Sequence, residues 1–332
     1  MATVAIIGSN SFTGSHFVDA VLAQTNYDVI GISRSPEYPK IFLPYAYEKS
    51  VPERFKFYQF DINQHLEKIM SILDSAKAEV VINLAAQGEV GNSWKYPEQW
   101  FQTNCVGNVR FANQLKDRKY LERYIHVSTP EVYGACKGKV KENFNYNPST
   151  PYAASKAAAD LFMFALAKNF DFPLVMTRST NVYGMHQQLY RIIPRTIIYL
   201  KLGKQIQLHG GGVAKKTFMH VRDVADAVLK MINAKNPSNL YHLSPNDKSR
   251  SVSFVVQYIC KKMGHDFEKS TASVGERLGQ DPVYEIDSSR ARKELKWKPK
   301  VKFEKGIDEV IEWIEANWEE IKNQPLEYVY KP

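Results

Sequence analysis

Cysteine is scarce in this chain of 332 residues: Cys105, Cys136 and Cys260 stand far apart, and none falls in a C-x-x-C pair. That spacing argues against a disulfide framework or a thiolate zinc site and leaves three reduced packing residues, with no metal expected. Also missing is any apolar run near the roughly 18 uninterrupted residues of a membrane span. The chain enters a strand-like Val4–Ile7 stretch almost at once, without the pattern of a cleavable leader. A soluble, cytoplasmic protein with no membrane partner is the expectation. Repeats and low-complexity segments are absent too. The formal charge of +9 is not gathered into one basic arm but spread along the chain. An anionic small molecule accounts for that excess, and nucleic acid is not expected as a partner.

What is present is a folded composition, 44% hydrophobic and 24% charged, in a chain long enough for two compact units. Short β-branched apolar runs (Val4–Ile7, Tyr27–Ile32) and further strand candidates (Phe55–Phe60, Val80–Leu84, Tyr124–Val127, Leu174–Arg178) alternate with segments of helical spacing such as Phe17–Ala23. This alternation predicts an α/β fold, a Rossmann-like doubly wound parallel sheet. From about Gly184 the elements become shorter and mixed, with loops near Gly210–Gly212 and Ser244–Arg250. The expected division is residues 1–183, mainly a dinucleotide-binding domain, and 184–332, mainly a smaller mixed α/β substrate-binding cap, with segments exchanged between them.

Between the first strand and the first helix, Gly8-Ser9-Asn10-Ser11-Phe12-Thr13-Gly14 makes a glycine-bounded turn that would bring backbone N–H groups and a helix N-terminus to a pyrophosphate. The second strand runs into Ser33-Arg34-Ser35, where an acidic residue would otherwise bond the ribose hydroxyls of NAD. A guanidinium flanked by hydroxyls suits a 2′-phosphate, so NADP is favoured over NAD as a tightly bound cofactor. Tyr152 and Lys156 stand four apart at the start of a helical run to Ala167, which puts them on one face. A phenol with an ordinary pKa of about 10 needs a nearby cation to serve as a base near neutrality. Trp94, Tyr183 and Phe218 read as core residues rather than stacking platforms.

Ordered segments across nearly the whole chain carry a family resemblance. They are the Gly8 turn, Leu84-Ala85-Ala86-Gln87, Ser128-Thr129-Pro130-Glu131-Val132-Tyr133-Gly134, Ser149-Thr150-Pro151-Tyr152-Ala153-Ala154-Ser155-Lys156 and Arg178-Ser179-Thr180-Asn181-Val182-Tyr183-Gly184. Ile192-Ile193-Pro194-Arg195, Phe218-Met219-His220-Val221-Arg222-Asp223-Val224-Ala225 and Glu294-Leu295-Lys296-Trp297-Lys298-Pro299 continue it. Together they resemble the extended short-chain dehydrogenases/reductases and, among them, the nucleotide-sugar 4,6-dehydratases. The resemblance implies that Thr129, Glu131, Tyr152 and Lys156 are catalytic. It places Gly8, Ser11, Phe12, Thr13, Gly14, Ser33, Arg34, Ser35, Asp61, Ile62, Leu84, Ala85, Ala86, Gln87 and Asn104 around the cofactor, with Tyr152 and Lys156. Thr129, Glu131, Asn181, Arg195, Lys216 and Arg277 would meet a nucleoside-diphosphate sugar.

One departure is informative. Family members acting on dTDP-glucose carry an Asp-Glu pair after the threonine, and here the Asp is Pro130. Relatives acting on GDP-mannose carry a serine there, keep the Glu and favour NADP. Dehydration is therefore the leading expectation, with 4-epimerase and UDP-glucuronate-type decarboxylase as rivals and a catalytically idle dinucleotide sensor last. The helical segments Gln102–Leu115 and Ala153–Ala167 have small and apolar residues on more than one face, which predicts a homodimer.

Overall fold

The computed structural model describes every residue except 1, 48–50, 137, 246, 277, 278, 280–282, 284, 331 and 332. Its centre is a seven-stranded parallel sheet built from β1 (Thr3–Ile7), β2 (Asp28–Ser33), β3 (Phe55–Gln59), β4 (Val80–Asn83), β5 (Arg123–Val127), β6 (Leu174–Ser179) and β7 (Leu240–Leu243). Their spatial order is β3-β2-β1-β4-β5-β6-β7, so the winding reverses between β1 and β4. Ligands of such sheets bind in the crevice at that reversal, beyond the carboxyl ends of the strands. The last strand, contributed by the second half of the chain, was not foreseen. Leu-Tyr-His-Leu is too short and too mixed to stand out, yet all four residues are buried.

Alternation of side chains along the strands divides the core into two layers. Val4 and Ile6 face α1 (Phe12–Gln24) and α6 (Val221–Asn233). Ala5 and Ile7 face α2 (Leu66–Ala76), α3 (Asn108–Leu115) and α4 (Pro151–Phe170). A third cluster, with Ile193, Ile197, Val255, Ile259, Phe303 and Ile307, packs α5 (Ile192–Lys201), α7 (Val252–Lys262) and α8 (Phe303–Ala316) together in the half of the chain expected to form the cap. Tyr183 and Phe218 are buried in this third cluster, as expected. Trp94 is not: it is 46% exposed, a correction to the core assignment. It follows the four-residue helix Val90–Ser93 on the surface, where its ring finds too few neighbours to be covered.

The segment Gln102–Leu115 is continuous but not uniformly α-helical. Its first six residues, Gln102–Gly107, form a π-helical turn before α3 begins, a distortion that is frequent at functional sites. Among the described residues no helix is long and apolar enough to cross a membrane, and no cluster of His, Cys, Asp and Glu could hold a metal ion.

Candidate active site

The glycine turn sits directly over the reversal of the sheet. Gly8 adopts φ +89°, and its N–H donates to Ile32 O at 2.7 Å. A Cβ at Gly14 would stand 2.2 Å from Gly8 O, so only glycine lets the turn close on the helix. Ser11 takes the middle position for a structural reason. It is the N-cap of α1: its hydroxyl donates to Gly8 O at 2.7 Å and accepts from Gly14 N at 3.1 Å. A capping serine contributes about 1 kcal/mol to a helix, and the helix N-terminus opens beside Phe12 and Thr13 toward the crevice.

Around this turn the remaining expected cofactor residues fall into two groups. Gly8 lies against Leu84 and Ala85, the backbone that follows β4, and Arg34 reaches across from the end of β2 to Gln87 Oε1 at 3.4 Å. Ser33, by contrast, accepts the Asn10 N–H at 2.9 Å and so holds the glycine turn. Asp61 accepts from Asn63 N at 2.6 Å, Ile62 is buried in the core layer, and Ser35, half-buried, follows Arg34. Asn104 lies behind this wall. Its amide oxygen accepts from Gln87 N at 2.7 Å while its NH2 donates to Gln87 O at 3.1 Å and Ser155 Oγ at 3.0 Å. With both ends engaged, Asn104 fastens the Gln87 segment to α4, and the π-helical turn is what aims it there.

These residues fit a nicotinamide dinucleotide: a turn that a single Cβ would close, a capped helix terminus and a crevice at the sheet reversal. Beyond β5 and at the mouth of α4 stand the reactive groups. Thr150 caps α4 by accepting from Ala153 N at 3.1 Å, and Pro151 supplies the preset first turn, so Tyr152 projects at the start of the helix with Lys156 one turn further on. Opposite, Thr129 caps the short helical turn Pro130–Tyr133 by accepting from Glu131 N at 3.3 Å. Pro130 is buried as the first residue of that turn, a position that suits proline's fixed φ.

The hydroxyl of Tyr152 is hydrogen-bonded with Thr129. Burial pushes its pKa up, the Glu131 carboxylate pushes it further, and the Thr129 bond and the Arg191 guanidinium pull it back. Lys156 is 2% exposed and donates to Val127 O at 2.8 Å. Burial pushes its pKa down to about 8, against the upward pull of Asp160. Tyr152, Thr129 and Glu131, expected as catalytic, thus act on one another, and Lys156 lies one turn along the helix.

The residues expected to meet the substrate are more dispersed. Asn181 heads a short strand parallel to Phe218–His220, and Lys216 pairs in register with Arg250 across another two-stranded ribbon. Arg195 turns away to the C-terminal segment, 3.4 Å from Glu327 and over the Tyr199 ring. Arg277 lies outside the described residues. Arg191, the N-cap residue of α5, was missed, since a lone arginine before a helix has no motif to mark it.

Comparison with known proteins agrees with this geometry. Residues 6–310 match the family described as GDP-mannose 4,6 dehydratase. A dTDP-D-glucose 4,6-dehydratase of Mus musculus is 32% identical over 280 residues, covering 82% of this chain and 77% of the relative. Its Homo sapiens counterpart is 29% identical over 327 residues, 96% and 92% of the two chains. Among solved structures, a dTDP-glucose 4,6-dehydratase from Streptomyces venezuelae with NAD bound superposes with a TM-score of 0.87 at 25% identity, covering 95% and 97%. A UDP-glucuronic acid 4-epimerase from Bacillus cereus, in complex with UDP-glucuronic acid and NAD, gives 0.84 at 25% identity, covering 95% and 99%. With the glycine turn over the sheet reversal and Tyr152, Lys156, Thr129 and Glu131 drawn together beyond β5, this chain belongs to the GDP-mannose 4,6-dehydratase family of extended short-chain dehydrogenases/reductases.

Proposed function

We propose that the chain is a nucleotide-sugar 4,6-dehydratase acting on a nucleoside-diphosphate hexose. The observation that carries this reading is the approach of Glu131 to the Thr129–Tyr152 hydrogen bond, close enough for its charge to perturb the phenol. An oxidation site needs only tyrosine, lysine and hydroxyl; a carboxylate at the same point supplies a second proton transfer.

When bound, a nicotinamide dinucleotide supplies the hydride acceptor for C4 and the hydride donor for C6, which leaves the overall reaction redox-neutral. Tyr152 takes the proton of the 4-hydroxyl, with Thr129 bonding O4 and the Lys156 ammonium favouring the phenolate. The ketone at C4 acidifies the C5–H, and Glu131 removes that proton. Water then leaves from C6. Pro130 has no proton to give, so Glu131, protonated by the preceding step, returns its proton to the departing oxygen. With hydride delivered to C6, C5 takes up a proton and Tyr152 releases the one it gained, which leaves the loss of one water as the net change.

Gly8, Gly14 and the Leu84–Gln87 wall would hold the dinucleotide. The finer choice of NADP over NAD rests on Arg34 standing where an acidic residue would bond the ribose; the structurally similar enzymes named above were solved with NAD. Arg191, beside Tyr152, supports a further contact to the substrate's anionic part. Exposed Phe101, Val106 and Leu161 on the helices Pro97–Phe101, Gln102–Gly107 and α4 support a homodimer through that face. The deciding experiment incubates the purified protein with UDP-, GDP-, CDP- and dTDP-hexoses, and with UDP-glucuronate, and records product mass. Loss of water supports dehydration; an unchanged mass with inverted C4, or loss of carbon dioxide, would replace it with epimerisation or decarboxylation.

A further inference from the structure

Directly beneath the reactive groups lies a buried charge cluster that the reaction as written does not use. Asp160, one turn beyond Lys156 on α4, is fully buried. Its Oδ2 accepts from Ser128 Oγ at 2.6 Å and from an Arg178 guanidinium nitrogen at 2.8 Å. Arg178, at the end of β6, is fully buried as well. It lies between the rings of Tyr133 and Tyr146, at 4.7 and 4.8 Å from their centroids, and donates to both hydroxyls. The Tyr133 hydroxyl is 2.8 Å from His242 Nε2 on β7. The other oxygen of Asp160 has no hydrogen-bond donor among the described residues. Its nearest charged-group neighbour is His126 Nε2 at 3.7 Å, and burial together with Lys156 and Arg178 drives that imidazole well below its ordinary pKa. A neutral His126 offers Asp160 no charge, so the carboxylate has two cations to answer, Arg178 and Lys156.

The arithmetic of charge makes this arrangement informative. An isolated buried ion costs several kcal/mol, and one partner lost from a buried pair leaves the other uncompensated. Here two buried cations share one buried anion, and the second cation is the lysine assigned above, under the proposed reaction, to favour the Tyr152 phenolate. Arg178 also grips Tyr133, which closes the turn bearing Thr129 and Glu131. We propose that Asp160 is a positioning residue that keeps Lys156 in its ammonium form, and that Arg178 divides the same carboxylate with Lys156 while tying it to the turn that carries Glu131.

The titratable groups around Lys156 are Tyr152 and Asp160 on its own helix, His126 on β5 and Arg178 on β6, with Glu131 beyond Tyr152. His126 is neutral, so removal of either charged member should move Lys156 in a sense that its sign dictates. Asp160→Asn deletes the anion and should lower the Lys156 titration midpoint by about one pH unit or more. Arg178→Met deletes the competing cation and should raise it by a similar amount. A purely structural role predicts no such opposition of sign.

The midpoint is read without substrate or cofactor, from the 13Cε shift of Lys156 in lysine-labelled protein, its resonance identified by its absence in Lys156→Met. The alkaline limb of the hydride-transfer rate should move with it. A lowered midpoint in Asp160→Asn with a raised one in Arg178→Met supports the proposal; unmoved midpoints, displacement in one common direction, or displacements of the reverse sign overturn it. Should Asp160→Asn fail to fold, Arg178→Met decides alone: an upward displacement supports the proposal, and an unmoved or lowered midpoint overturns it. The inference rests on the assignment of Lys156 and Tyr152 to oxidation. Because the titration needs no turnover, a protein that proves to be an epimerase leaves this test intact, and a failed titration leaves the product-mass test intact.

Discussion

The two ends of the cleft are built on different physical terms. At the inner end Lys156, Asp160 and Arg178 are almost wholly removed from water; Asp160 and Arg178 pair with each other, and Lys156 donates to Val127 O. At the outer end Arg195 and Lys216 stand on cap elements in partial contact with solvent, and Arg195 has taken Glu327, 70% exposed, as its partner. Proton transfer needs groups whose pKa values a low-dielectric setting can shift, and burial supplies that setting. Anion capture tolerates long, mobile side chains, because a guanidinium or ammonium finds a phosphate over several orientations. The difference explains why the inner residues form one connected site while the outer ones are spread over three elements.

The largest effect should come from the inner end, where substitution separates oxidation from elimination. Tyr152→Phe removes the base for the 4-hydroxyl, and every later step should stop, with a rate loss of about 10² to 10⁴. Glu131→Gln keeps the shape and removes the base at C5. Dehydration should fall by a comparable factor while absorbance near roughly 340 nm, the band of a reduced nicotinamide, persists. The same band should be absent in Tyr152→Phe. A wild-type dehydration rate in Glu131→Gln would remove the carboxylate from the mechanism, and with it the contrast between a two-transfer and a one-transfer site.

Next in size is the alkaline side of the pH profile. Lys156 in the folded chain loses its proton near pH 8, against an ordinary lysine value of 10.5. Hydride transfer should therefore fall as pH rises through about 8, because the phenolate loses its supporting cation. The stability contribution of this residue runs the other way. Between about 8 and 10.5 the unfolded chain holds the proton that the folded one has released, so unfolding takes up a proton and rising pH disfavours it. Rate measurements and melting curves on the same samples check this. A rate that tracks the loss of fold would erase the distinction between a tuned and a merely buried lysine.

Smaller effects are expected outward. Arg34→Ala should narrow a preference for NADP over NAD by about tenfold, the scale of one charge-assisted contact of roughly 1.4 kcal/mol. Equal affinities in wild type and variant, by titration calorimetry, would end the 2′-phosphate assignment. Arg195→Ala should change kcat/KM by less than about threefold, since exposed ion pairs contribute little. A loss above about tenfold in steady-state kinetics would mean that Arg195 leaves Glu327 to meet the substrate, and that the outer end is held to its task as strictly as the inner one.

Much of this was legible along the chain. The β-branched runs that became β1 and β4 could be read because a strand buried on both faces is nearly continuous in Val and Ile, and the aromatic run of the edge strand β3 stood out by its alternation. Tyr152 and Lys156 could be read because a helix converts a spacing of four into a shared face. Three features could not. Ser11 departs from glycine in the middle of the turn, and only the bonds to Gly8 and Gly14 show it as a cap. Trp94 has a core residue's composition on a surface segment. Asp160 and Arg178 are 18 positions apart on a helix and a strand, with nothing local to couple them.

By itself, then, the amino-acid order determined what depends on neighbours in the chain: the alternation of strand and helix, the glycine turn, the pairing of Tyr152 with Lys156, and the family to which these belong. Tertiary structure decided which charges share a low-dielectric space. Burial and Coulomb attraction depend on distance through the fold rather than along the chain. Only the packing of α4 against β5 and β6 could place one carboxylate beside two cations under the reactive phenol.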